Sequence, residues 1–208
     1  MFRRIYLSPV GFFISLFLNL ISFLKKPFMV YGFFNKIDKK FYNKTRISST
    51  VKFVNKINID IQNNVWVGHY CILDGIGGIK IEKGVQLASH ACIYTHSSEN
   101  AIRLNGEKFI EIPAKVRPGY IIKPVFIGEY SLIGTSAVLL CGTSIGKASI
   151  VGAGSIVKGS FPDYSVIVGN PAKVVGDTRK IDKKLFLDGI NFDNYYDQTL
   201  VSSNYSVK

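Results

Sequence analysis

The sequence predicts an all-β solenoid from three observations. Ile127, Ile133, Leu139, Ile145, Val151 and Val157 stand six apart without a slip, and four of them precede glycine (Gly128, Gly134, Gly146 and Gly152). The residue four places after each is Ser131, Ala137, Thr143, Ser149, Ser155 or Phe161, five small residues and one Phe. The same register recurs upstream as Ile61, Val67, Leu73 and as Ile81, Leu87, Ile93, with Val65, Cys71, Val85 and Ala91 at the small-residue positions. A helix repeats near 3.6 residues and an ordinary strand at 2, so neither explains a period of six. Short extended rungs joined by turns do, stacked so that three rungs close a triangular coil of about 18 residues. The apolar residue points into the shaft, the small residue lies by the next corner, and glycine takes turn dihedrals that other residues resist.

Each segment then finds its place. Residues 10–24 are the most apolar stretch, preceded by Arg3 and Arg4 and followed by Lys25, Lys26 and Pro27. The segment is short for a membrane span and lacks a small-x-small cleavage site. A helix here would carry a thin polar stripe of Ser15, Asn19 and Ser22 and be apolar elsewhere. Two readings stand: packing on the solenoid or a neighbouring subunit, or lying in a membrane surface with its basic flanks on anionic lipid. Residues 25–46 are basic and aromatic and connect helix to solenoid, so 1–46 forms an N-terminal helix and connector. A weaker run, Ile47, Phe53 and Ile59, opens a repeat domain expected over 47–176, with roughly five to six turns. Two extra residues within Gly75–Ile79 shift its frame. From about 95 to 124 the register breaks; a loop that long on a rigid scaffold often carries function. After Phe161, Pro and Gly signals end the repeat. Residues 177–208 form a C-terminal extension, with a short helix near Lys183–Leu187 and a loose tail.

Hydrophobic residues make up 47% of the 208 and charged residues 19%, which suits a folded chain. The net charge of +12 suits anionic partners. No basic run is interleaved with aromatics in a nucleic-acid pattern, so nucleic acid is not an expected partner. Cys71, Cys92 and Cys141 are too few and scattered for a disulfide framework, and a reducing compartment, the cytoplasm, is expected.

The tetrapeptide IYTH (93–96), the long loop, the run from Phe126 to Val174 and its closing NPAK together resemble the hexapeptide-repeat acyltransferases, nearest in feel to the sugar O-acetyltransferases. The resemblance covers about residues 58–176. It implies a left-handed parallel β-helix, although crossovers between parallel strands are normally right-handed. It also implies a homotrimer and acetyl-CoA as cofactor. His96, at the end of IYTH, is the implied general base, since imidazole takes a hydroxyl proton near neutral pH. His90 is the rival position, and His69, His90 and His96 are not expected to converge on a metal. Motif by motif, Thr135 falls at the thioester end of the cofactor, Ala153 beside its arm, Lys158 and Gly159 at further contacts, and Lys173 near its phosphates. The family's second basic residue after NPAK is replaced by Gly176, with Arg179 or Lys180 as substitutes. Asp74 and Trp66 are candidates for the acceptor pocket, although a corner-capping Asp is as good a reading. Arg103, Glu107 and Arg117 of the loop are further candidates for acceptor contact, with solvent exposure the default reading. The expected activity is transfer of an acetyl group to a sugar hydroxyl of a surface polysaccharide or its precursor, at the inner face of a membrane. The alternatives are N-acetylation of an amino sugar, and a non-catalytic scaffold.

Overall fold

The computed structural model describes residues 8–24 and 26–204. Arg3, Arg4 and Lys25 lie outside the described residues, as do the side chains of Asn19 and Ser22. The α-helix Pro9–Leu24 leads into a β-hairpin, Met29–Asn35 paired antiparallel with Lys40–Ser48. Among the described residues no helix is long and apolar enough to cross a membrane.

The rest of the chain winds around three parallel sheets, one strand of each per coil. On the first face the inward residues are Ile47, Val67, Leu87, Ile133, Val151 and Ile167. The second face stacks Phe53, Leu73, Ile93, Leu139 and Val157. The third stacks Ile61, Ile81, Ile127, Ile145 and Phe161. Five complete coils and a sixth first-face strand result. From Leu73 to Ile167 every one of these residues except Phe161 is fully buried, and each is worth about 1.5–3 kcal/mol against exposure.

Three details differ from the expected pattern. Ile61, not Ile59, continues the opening run, because a short 3-10 turn at Lys56–Asn58 lengthens that corner by two residues. Phe161 is not a corner residue. The last second-to-third corner is two residues shorter, so Phe161 pairs with Ile145 as the next inward residue. The glycines after the inward residues serve close approach, not unusual dihedrals. A Cβ on Gly128 would sit 2.6 Å from the Lys147 amide nitrogen, and one on Gly134 2.6 Å from that of Ala153. Left-handed backbone falls two residues later, at Tyr130, Ser136, Ala148 and Gly154.

The small-residue column is fully buried and hydrogen-bonded. Ser131 Oγ donates to Gly146 O and accepts from Ser149 N, and Ser149 Oγ accepts from Ser165 N. These bonds satisfy groups that would otherwise be costly inside the shaft.

An antiparallel hairpin, Ser165–Gly169 with Ala172–Asp177, closes the coil. The following helix runs Thr178–Leu187, longer than expected, because the Asp177 carboxylate caps it by accepting from Arg179 N at 2.9 Å. As far as Asn204 the tail is not loose. Tyr196 lies 4.9 Å from Tyr130 ring to ring, Asp197 is 3.8 Å from the Lys147 ammonium, and Gln198–Asn204 is helical. Aromatic packing on the third-to-first corner holds it, a contact with no periodicity to betray it.

Candidate active site

The second-to-third corner of the third coil is where the chain leaves the solenoid. His96–Ser97 pairs antiparallel with Ile121–Ile122, so the excursion is closed at its base. Lys123 N donates to Thr95 O at 2.9 Å. Between the two strands lie a helical turn, Ala101–Asn105, and a 3-10 segment, Gly106–Ile110.

One coil below, Asp74 ends the strand Ile72–Asp74. Its Oδ2 lies 2.5 Å from His96 Nδ1, with the Asp74 side chain 3% and the His96 side chain 30% exposed. Both atoms are buried, and among the described residues neither has another polar partner. Asp74 Oδ1 accepts from Ile76 N at 3.1 Å, and Thr95 Oγ1 donates to Asp74 O at 2.6 Å while accepting from Gly77 N at 2.7 Å. The carboxylate is therefore fixed before it meets the imidazole. Holding Nδ1 against Asp74 turns Nε2 away from it, and a proton on Nδ1 leaves Nε2 an acceptor. Tyr120, from the loop's return, stacks on His96 at 5.7 Å. Arg117 is sandwiched between Tyr120 (5.2 Å) and Phe109 (3.9 Å), and its Nε donates to Ile112 O. Arg103 is held by Glu99 O and Asn100, while Glu107 lies in the first turn of the 3-10 segment.

The other candidates separate onto different corners. His69 and His90 lie on the first-to-second corner. His69 Nδ1 is 2.7 Å from Ser48 Oγ, and His90 is a left-handed corner residue stacked on Tyr70. His96 is one corner further on. Thr135 and Ala153 share the corner of His69 and His90, one and two coils beyond His90; both are exposed, and Thr135 O accepts from Gly154 N. Lys158 and Gly159 share the corner of His96, and the Lys158 ammonium lies 3.8 Å from Glu99 in the loop. Lys173 is exposed on the terminal hairpin. Arg179 is engaged with Asp177. Trp66 is on the first face, paired in register with Arg46 and Gln86, and is not brought to Asp74 and His96. Its place on a flat sheet puts it across the shaft from their corner.

The pairing of Asp74 with His96 was within reach of the sequence. Aligning Leu73 with Ile93 puts Asp74 beneath Tyr94, two residues from His96. Tyr120 carried no such signal, because it lies in the aperiodic loop.

No family model matches the chain. A protein of Escherichia coli provisionally named WbbJ, a lipopolysaccharide biosynthesis O-acetyl transferase, is 32% identical over 117 residues, which cover 56% of this chain and 59% of that one. A protein of Mycobacterium tuberculosis provisionally named an acetyltransferase is 46% identical over 66 residues, 32% of this chain and 22% of that one. The chain thus spans 22–59% of the length of these curated relatives. Among solved structures, AntD, an N-acyltransferase from Bacillus cereus in complex with dTDP and coenzyme A, superposes with a TM-score of 0.54 at 23% identity, covering 70% of this chain and 89% of that one. A hexapeptide-repeat acetyltransferase of Vibrio cholerae complexed with acetyl coenzyme A does so at 0.50 and 25% identity, covering 61% and 64%. The resemblance to the hexapeptide-repeat acyltransferases read from the motifs therefore holds, in sequence and in fold.

Proposed function

We propose that the chain is an acetyl-CoA-dependent O-acetyltransferase acting on a sugar hydroxyl, with the coil left-handed as in the family it resembles. The pairing of Asp74 with His96 at the base of the loop supports this most directly. His96 Nε2 accepts the proton of the acceptor hydroxyl, and Asp74 keeps the imidazole in the required tautomer and stabilises the charge it gains. Acetyl-CoA, when bound, supplies an activated acetyl carbonyl for the hydroxyl to attack. On the first-to-second corner Thr135 and Ala153 are exposed, and a Cβ on Gly154 would meet nothing within 4 Å. An extended arm can approach that backbone closely. Lys173 would serve the phosphates, and Lys158 with Gly159 a further contact.

These groups lie on two corners of one shaft. A homotrimer would bring the first-to-second corner of one subunit against the second-to-third corner of the next, so that His96 of one faces Thr135 and Ala153 of its neighbour. The similarity to an enzyme named for lipopolysaccharide biosynthesis supports a surface glycan or its precursor as acceptor. The apolar N-terminal helix supports work at the inner face of a membrane, and Trp66 remains an acceptor contact only if a neighbouring subunit delivers it.

The test is thiol release from acetyl-CoA with hydroxyl and amino sugars in parallel. Release that needs a hydroxyl acceptor and disappears in His96→Ala supports this function. Faster reaction of an amine, insensitive to His96, would favour N-acetylation. Absence of any cofactor-dependent rise in melting temperature would favour a scaffold.

A further inference from the structure

The positive charge is concentrated at one end of the chain. Residues 1–56 contain eleven of the 26 basic residues and one of the 14 acidic ones, a net +10 of the chain's +12. Eight of these basic residues and the one acidic one fall within residues 26–56, the stretch that forms the first hairpin and opens the first coil, where the hairpin pairs with the strand of Trp66–Val67.

The hairpin has two unlike faces. Its inner face is anchored: Phe33 and Thr45 are buried, Asn35 is fully buried and donates to Asp60 at 2.6 Å, and Tyr42 donates to Gln62 at 2.7 Å. Its outer side is apolar and open. Phe34 and Phe41 are cross-strand partners exposed by 54% and 64%. Ile37 at the turn and Phe28 and Tyr31 at the base are also more than half exposed. Exposed Lys36, Lys39, Lys40 and Lys44 surround Phe34, Ile37 and Phe41 in the chain. Among the described residues no carboxylate lies within ion-pair distance of these four ammonium groups. The preceding helix exposes Phe12, Phe13, Leu16, Phe17 and Leu20 by more than half. Apolar surface of this extent, next to four lysines set against the single carboxylate of Asp38, marks a contact site.

We propose that the hairpin 29–48, together with the helix Pro9–Leu24, docks on an anionic lipid bilayer. This rests on the membrane contact suggested above for the helix and adds a second, built anchor. Charge selects the occupant. A second copy would set two segments of net +10 against each other, whereas anionic headgroups attract every lysine that comes within a Debye length, about 8 Å at physiological salt. Aromatic tips seat in the headgroup boundary while lysine stems reach the phosphates. Stable attachment needs two such signals, and helix and hairpin provide them.

The experiment is flotation of the full chain with vesicles of phosphatidylcholine alone or mixed with phosphatidylglycerol. Binding to the anionic vesicles should be tighter by about tenfold or more. Phe34→Ser/Phe41→Ser and Lys36→Glu/Lys39→Glu/Lys40→Glu should each lower it by about tenfold, with unchanged melting temperature confirming an intact fold. Hairpin variants that float like the unaltered chain overturn the proposal. If only Phe12→Ser/Phe17→Ser abolishes binding, the helix contact stands and the hairpin's role falls. Equal binding to both vesicles, or none, overturns it, and so does loss of an oligomer in the same variants without lipid. Thiol release with a soluble acceptor is read separately, so its absence counts against the enzymatic function and not the docking.

Discussion

His96 is oriented from two sides, by the Asp74 carboxylate at Nδ1 and by the Tyr120 ring on its face. If Nε2 takes the acceptor proton, His96→Ala should lower kcat by about 10²–10⁴-fold. Asp74→Asn should lower it less, by about tenfold or more, with the KM for acetyl-CoA unchanged, because the imidazole remains but its tautomer is no longer enforced. His90→Ala on the neighbouring corner should leave turnover intact; steady-state kinetics on the three variants separates the two histidines. His96 was legible as a candidate because IYTH marks where the repeat breaks. Its partner was seen only as a corner or acceptor residue, since the contact crosses from one coil to the next and nothing local in ILD announces it. Cys71 fills a small-residue position, and burial pushes its thiol up to about 11. It should therefore stay protonated at pH 8 and react with iodoacetamide more slowly than half-buried Cys92, as read by mass spectrometry of the native protein.

At the scale of the rung, the repeat set nearly everything. Inward positions were legible because every coil imposes the same constraint on them, and Leu139, fully buried on the second face, is representative. Leu139→Ala should cost about 2–5 kcal/mol in denaturant unfolding. Gly134→Val places side-chain atoms where only 2.6 Å separates a Cβ from the Ala153 amide nitrogen. It should destabilise by about 1–3 kcal/mol, although the φ of Gly134 is an ordinary one. The sequence named this glycine correctly for the wrong reason: contact between coils looks the same as a turn requirement in a one-dimensional pattern. What did not repeat stayed hidden. The loop's stack of Phe109, Arg117 and Tyr120, and the tail's Tyr195 and Tyr196, depend on aromatic contacts between segments of no common period.

At the scale of the whole molecule, one chain holds His96 on one corner and the exposed Thr135 and Ala153 on another. A shared site makes a specific prediction. His96→Ala chains and Ala153→Trp chains, each inactive alone, should regain activity when mixed and reassembled, whereas a site confined to one chain would show no recovery. Sedimentation at falling concentration should show activity and oligomer disappearing together. A coil of constant cross-section has no inherent length, and its last rung is a template for the first rung of another molecule. Here the outermost strands of the first face at both ends are hairpin arms that reverse the chain direction. The reversed arms cover the coil strands of that face at both ends, so a chain stripped of either hairpin would present a bare coil strand of the first face as an open edge.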